Sequence, residues 1–325
     1  MKIFRLLRYS LIYPTLIISA VGGLLILLAV ISYSGGSKFF EKGCFPFSSD
    51  LDPINITQKD PKKLKFIVLG DTAVYRESLL INKEAIAKSA IEYCRSNGCD
   101  FMLLMGDNIS NEGVQTPFDP IWAKYHEKFF DDFKAPMIAV IGNHDIKSNI
   151  YSMMSYGMLS DTWKMPNSEF TFATNVADFT TINSNCDLLA YWKLRDQEPS
   201  DKWSFLLAHH PIHSSGQHKS APIYIRAYWN WLIEEKFNFH LSGHNHLLEH
   251  INFKDDETEY IISGAGSDLY DPKQQGKELG EIPDEVRYRF LGNGFVYFEV
   301  SADSARVKYI NKKGKKLYEF TKNKG

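Results

Sequence analysis

Five short polar turns carry residues of the types that hold metal ions. They are Gly70-Asp71, Gly106-Asp107-Asn108, Gly142-Asn143-His144-Asp145, His209-His210-Pro211 and Gly243-His244-Asn245-His246. A mixed set of Asp, Asn and His suits iron, manganese or zinc rather than calcium. A pair of such ions, about 3.5–4 Å apart, needs a bridging carboxylate and several imidazoles. Glycine ahead of a ligand lets the backbone turn sharply and come close to the ions. Taken singly, each motif has an ordinary explanation. Gly-Asp after a strand is usually a turn, and His209 or His210 alone reads as a hydrogen-bonded polar residue. As an ordered set they point to one site. The spacing from Asp71 to Asp107 is 36 residues, from Asp107 to Asn143 again 36, and from His209 to His244 it is 35. Each interval suits one strand–helix–strand unit.

The elements that must position these turns are legible as alternating patterns. Short apolar runs at Lys65–Leu69, Phe101–Met105, Met137–Ile141, Trp203–Leu207 and Phe237–Leu241 read as buried strands, and each ends in one of the five turns. In open α/β sheets, ligands sit beyond the carboxyl ends of the strands. Asn82–Asn97 reads as a helix with Ala85, Ile86, Ala90 and Tyr93 inward and a stop at Gly98. Asp119-Pro120 opens a second helix, with a stripe of Trp122, Tyr125, Phe129, Phe130 and Phe133. Tyr224–Lys236 is a third. Strands at Tyr260–Ile262, Phe295–Val300, Val307–Ile310 and Leu317–Phe320 follow with no helix between them. The pattern predicts an α/β domain with one mixed sheet or two packed sheets.

The chain has 325 residues, a net charge of −2, 44% hydrophobic and 23% charged residues. That excludes a disordered chain and gives no electrostatic footprint for nucleic acid. An aromatic share of 14% predicts a bulky core or a sheet-rich fold. Leu11–Tyr33 runs 23 residues without a charge, behind Lys2, Arg5 and Arg8. This is long enough to span a bilayer, longer than the apolar part of a cleaved signal, and followed by a poor cleavage site at Ser32-Tyr33-Ser34. The expected organisation is a membrane anchor over 1–34 with a cytoplasmic N-terminus, a linker over 35–62, and one extracytoplasmic domain over 63–325. Outside the cytoplasm, Cys94 and Cys99 are expected to pair; the pairing of Cys44 and Cys186 is left open.

In the order of its motifs from Gly70 to His246, the chain resembles the calcineurin-like metallophosphoesterases, and within them the small purple (tartrate-resistant) acid phosphatases. Thr72-Ala73 follows Asp71, where other branches have Asp-x-His. Gly106-Asp107-Asn108 with Ile109, then Gly113-Val114, resembles the acid-phosphatase Gly-Asp-Asn-Phe-Tyr stretch. His218 stands nine residues after His209, and Ser263-Gly264-Ala265-Gly266 resembles the family's closing strand. The resemblance implies two packed mixed sheets flanked by helices. It implies a first metal held by Asp71, Asp107 and His246, with Asp107 bridging, and a second completed by Asn143, His209 and His244. It places His144 and His218 toward the substrate phosphate and the leaving oxygen.

The chain departs from the family at Ser110, where a tyrosine ligand is expected. The reading is therefore three protein ligands plus water at the first site, weaker binding, a preference for divalent iron, manganese or zinc, and no tyrosinate colour. Asn108, Asp145 and His210 are left as neighbours of uncertain role; Asp145 either orients His144 or caps a turn. The implied activity is hydrolysis of a phosphomonoester, on a small molecule or a phosphoprotein, by metal-bound hydroxide. The alternatives are a phosphodiesterase of the superfamily, or a membrane-anchored scaffold on the same fold.

Overall fold

The computed structural model describes Cys44, Ile54 and residues 56–254, 256–269, 279 and 282–324. The expected membrane span lies outside the described residues, among which no helix is long and apolar enough to cross a membrane. The described strands are β1 (Leu64–Leu69), β2 (Phe101–Leu104), β3 (Met137–Ala139), β4 (Trp163–Lys164), β5 (Phe170–Ala173), β6 (Ala177–Thr181), β7 (Trp203–Leu207), β8 (Phe239–Ser242), β9 (Leu248–Ile251), β10 (Glu259–Ser263), β11 (Val286–Phe290), β12 (Gly294–Val300), β13 (Ser304–Asn311) and β14 (Lys316–Asn323). The helices are α1 (Leu80–Asn97), α2 (Lys128–Phe130), α3 (Ile150–Tyr156), α4 (Leu188–Trp192) and α5 (Ile223–Leu232).

The strands form two seven-stranded sheets, ordered β14-β13-β12-β1-β2-β3-β4 and β11-β9-β10-β8-β7-β6-β5. Both are mixed. In the first, β1 to β4 run parallel, while β12 is antiparallel to β1. In the second, β6, β7, β8 and β10 run parallel, while β5 and β9 are antiparallel to their neighbours. Parallel strands need both faces covered, and β1 shows how its sequence meets that need. Phe66 and Val68 face the second sheet, in a core with Phe101, Phe205, Phe239 and Phe298. Ile67 and Leu69 face the other way, onto Ile86 and Ala90 of α1. The inter-sheet layer is rich in aromatic rings. Phe66 stacks on Phe298 at 4.8 Å and meets Phe205 of the opposite sheet edge-on at 5.6 Å. Each such ring contributes roughly 1.5–3 kcal/mol by burial. On the far side of the second sheet, Trp229 of α5 covers His240 of β8 and Tyr260 of β10.

The helix expected at Asp119-Pro120 forms differently. Asp119 caps it by accepting from the Ile121 amide at 3.0 Å. Residues Ala123–Glu127 then take a π-turn before α2. The widened turn swings His126 inward, where its ring meets Trp122, Trp163 and Phe130. Helix α1 ends as expected, with Gly98 at φ +84° and its amide on the Cys94 carbonyl at 2.8 Å. Both cysteine pairs are closed, Cys94–Cys99 and Cys44–Cys186.

Candidate metal centre

The parallel strands β1, β2, β3, β7 and β8 all deliver their carboxyl ends to one edge of the two-sheet stack. Backbone hydrogen bonds lock that edge: Gly70 N to Ser263 O at 2.7 Å, Asp71 N to Gly106 O at 3.0 Å, and Gly243 N to His209 O at 3.0 Å. Three of the expected ligands sit in the left-handed region, Asp71 at φ +56°, Asp107 at +51° and His244 at +66°. That conformation costs a non-glycine residue of order 1–3 kcal/mol and persists only where surroundings impose it. Gly142 is required by close approach, since a Cβ there would overlap Asp107 Oδ1 and its amide.

Asp71, Asp107 and His209 bring ligand atoms within 4.8 Å of one another, and so do His209, His210 and His244. Asn143 joins them, with Oδ1 3.0 Å from His209 Nε2. His246 Nε2 lies 3.6 Å from Asp71 Oδ1. His144 Nε2 lies 3.9 Å from Asp107 Oδ2, and the His218 ring is 4.4 Å from that of His244. All eight residues named from the sequence as ligands or substrate-side histidines therefore fall at one place.

The hydrogen bonding there is incomplete in the way a cation would complete it. His209 Nδ1 lies 2.8 Å from the Met105 carbonyl, so it carries the proton. Its Nε2 faces two acceptors, Asn143 Oδ1 at 3.0 Å and Asp107 Oδ2 at 3.5 Å, which a cation, or in its place a second proton on the ring, would satisfy. Asp71 Oδ1 and His246 Nδ1 are buried with no hydrogen-bond partner. A buried acceptor without a donor costs about 1–3 kcal/mol. This donor set fits two metal ions.

Electrostatics agree. Burial would push His209 toward neutrality, but Asp107 overrides it and holds the ring up to about 10, so that a proton substitutes for a cation. Burial also works against the Asp107 carboxylate, yet His209 and His144 hold it well below the usual carboxylate range. Asp71 is raised by burial despite His246 and His209 beside it. Burial, reinforced by His209 and His210, pushes His244 far down. His218 falls to about 4, first by burial and then by the charge of His246 and His209.

The uncertain neighbours acquire roles. The hydrogen bonds of the Asp145 carboxylate run to backbone amides and to Asn108. It is buried and accepts from the amides of Asp107, Asn108 and Gly142 at 3.0, 3.0 and 2.8 Å, and from Asn108 Nδ2 at 2.8 Å. It thus fastens two of the strand-end turns together. Asn108 Nδ2 also holds the Val140 carbonyl at 2.9 Å. His210 Nδ1 is engaged by Ser184 Oγ at 2.8 Å, which aims its ring at His244, 4.4 Å away. Ser110 donates to Gly113 O at 2.6 Å within its own turn. His213 lies away from the centre, against Phe253 and Tyr260, on a separate cavity of about 450 Å³. His126, His240 and His250 are buried structural residues.

One residue at the centre was not found from the sequence. Tyr75 places its hydroxyl 3.0 Å from Asp107 Oδ2, with its ring edge-on to His144 at 4.8 Å. Burial, followed by Asp107, pushes its phenol well above the ordinary value. It belongs to none of the five motifs; the only signal was its place four residues after Asp71.

Comparison with known proteins agrees with this geometry. The calcineurin-like phosphoesterase family profile matches residues 64–248. The tartrate-resistant acid phosphatase type 5 of Sus scrofa is 25% identical over 303 residues, covering 79% of this chain and 86% of its own. Among solved structures, GAP50, the anchor in the inner membrane complex of Plasmodium, superposes with a TM-score of 0.68 at 21% identity, over 81% of this chain and 89% of that one. The purple acid phosphatase PPD1 from yellow lupin (Lupinus luteus) seeds gives a TM-score of 0.61 at 13% identity, over 81% of this chain and 54% of that one.

Proposed function

Because this chain belongs to the calcineurin-like phosphoesterase family, we propose that it hydrolyses phosphomonoesters with two metal ions held by Asp71, Asp107, Asn143, His209, His244 and His246. The observation that carries the reading is the convergence of Asn143 Oδ1 and Asp107 Oδ2 on His209 Nε2, beside the buried, unpartnered Asp71 Oδ1. When bound, the two ions supply an acidified water and positive charge against the phosphoryl oxygens.

The chain's own groups do the rest. Asp145 fixes the backbone on which Asp107 and Gly142 stand. The Met105 carbonyl fixes the His209 tautomer, as outer partners of ligating histidines do. His144 Nδ1 reaches the Asn111 carbonyl at 2.8 Å, which turns Nε2 to the centre as a proton donor for the leaving oxygen. The exposed Lys147 ammonium, 2.7 Å from the same Nδ1, can donate to it only in the other tautomer. His218 is held by its own amide, which donates to Asn245 Oδ1 at 2.7 Å. A general acid of this kind contributes about 10²–10⁴-fold.

The ester class is tested by comparing p-nitrophenyl phosphate with bis-p-nitrophenyl phosphate. We expect the monoester to be preferred and His144→Ala to lower its kcat by about a hundredfold or more. Preference for the diester would establish the phosphodiesterase reading instead. The scaffold reading is favoured by Ser110, whose hydroxyl serves its own turn; a folded protein that binds no metal would support it. We further propose that the domain is extracytoplasmic and anchored by the apolar run at Leu11–Tyr33. Two closed disulfides support this, and four reduced cysteines in protein isolated from cells with thiols blocked would contradict it.

A further inference from the structure

We propose that Tyr75 supplies the phenolic oxygen ligand that position 110 no longer provides, binding the ion shared by Asp71, Asp107 and His246. The inference rests on the dinuclear reading above. The segment after β1 runs beside the turn after β2, and Val74 forms a parallel bridge with Ser110. The Val74 amide donates to the Ile109 carbonyl at 3.2 Å, and the Ala73 amide to the Asp107 carbonyl at 2.7 Å. A side chain at 75 therefore leaves the paired backbone one residue from where a side chain at 110 leaves it, on the adjacent segment. The pairing carries Tyr75 alongside the turn after β2 that holds Asp107.

The Tyr75 hydroxyl ends 3.0 Å from Asp107 Oδ2, the carboxylate read as bridging. Two oxygens bound side by side to one ion at about 2.1 Å stand about 3.0 Å apart, so the pair is already at ligand spacing. The Tyr75 ring also lies against both flanks of that position, 5.8 Å from the His246 ring and 4.8 Å from the His144 ring. Ser110, by contrast, is committed to Gly113 O and to the Glu112 amide at 3.3 Å. Coordination replaces the present hydrogen bond. The phenol O–H bond breaks, its proton leaves to solvent, the oxygen lone pair forms the bond to the ion, and no electron is transferred. A phenolate is a hard, charged donor, so its presence shifts this site toward iron(III) and away from the divalent preference expected with Ser110 alone.

The test uses the full chain, stripped of metal and loaded with iron(III) alone and with iron(III) plus zinc, with bound metal counted by elemental analysis. The expected result is an intense visible band from phenolate-to-iron(III) charge transfer. The band should vanish in Tyr75→Phe, which keeps the ring, and persist in Ser110→Ala. Tyr75→Phe should also release iron to a competing chelator at least about tenfold more readily, in line with the loss of a group that acts on a metal site. Iron bound without a visible band, or a band that survives Tyr75→Phe, overturns the assignment and leaves the dinuclear reading intact. Failure of the unaltered, folded protein to bind metal overturns both. Loss of the band is read only in Tyr75→Phe whose circular dichroism and thermal midpoint match those of the unaltered protein, and absence of a band from the iron-loaded unaltered protein overturns the assignment without any variant.

Discussion

At the scale of single residues, the centre rests on buried polar groups whose cost is offset by one another. Lys83 is the clearest exception. It is fully buried on α1, with Nζ 3.5 Å from the Asn108 carbonyl, between the rings of Phe129 and Phe130. Burial depresses it from 10.5 to about 7, against the pull of Asp145. Between about pH 7 and 10.5 the unfolded chain holds the Lys83 proton and the folded chain does not, so stability rises with pH across that window. Below it the full penalty applies, on the order of 4–5 kcal/mol. Lys83→Met keeps the volume and removes the charge, while Thr72 Oγ1 still donates to Asn108 O at 2.7 Å. We expect it to raise the thermal midpoint at about pH 6 and to have little effect at about pH 10. Equal effects at both, or a loss at the lower pH, would contradict this account of Lys83.

At the scale of elements, the two disulfides close loops of very different length, and their contributions should differ accordingly. Cys94 and Cys99 are five residues apart, and Cys44 and Cys186 are 142 apart. Loop-closure entropy gives roughly 2 kcal/mol for the first and about 5 kcal/mol for the second. Chemical denaturation of Cys94→Ala/Cys99→Ala and Cys44→Ala/Cys186→Ala should show the second pair to be the more costly loss; the reverse order would contradict the closure argument. The same scale shows what was legible in advance. Strands such as β1 and β7 announce themselves because both faces are buried. Strand β9 does not, because its buried Glu249 accepts from Ser214 at 2.8 Å and its His250 pairs with Glu259 at 2.8 Å. Such satisfied polar positions read as loop when only hydropathy is visible. Strand β5 is a four-residue sheet edge with only Phe172 buried, and the π-turn at Ala123–Glu127 breaks a helical period. The proposed metal ligands were readable because each follows a strand within two to four residues. Tyr75 was not, because its place depends on pairing between Val74 and Ser110, a contact between segments 36 residues apart.

At the scale of the whole molecule, neither sheet makes the centre alone. Asp71, Asp107 and Asn143 come from the first sheet, and His209, His244 and His246 from the second. The inter-sheet aromatic layer therefore holds the two half-sites in register, and the bond from Gly70 N to Ser263 O ties them at the edge. The central claim is that this junction is a dinuclear hydrolytic centre. Its most direct test is p-nitrophenyl phosphate turnover by metal-stripped protein restored with manganese, zinc or iron(II), beside His209→Ala. Turnover is expected to require added metal and to fall by at least about a hundredfold in the variant. Folded, metal-loaded protein with no turnover under any of these ions would contradict the claim.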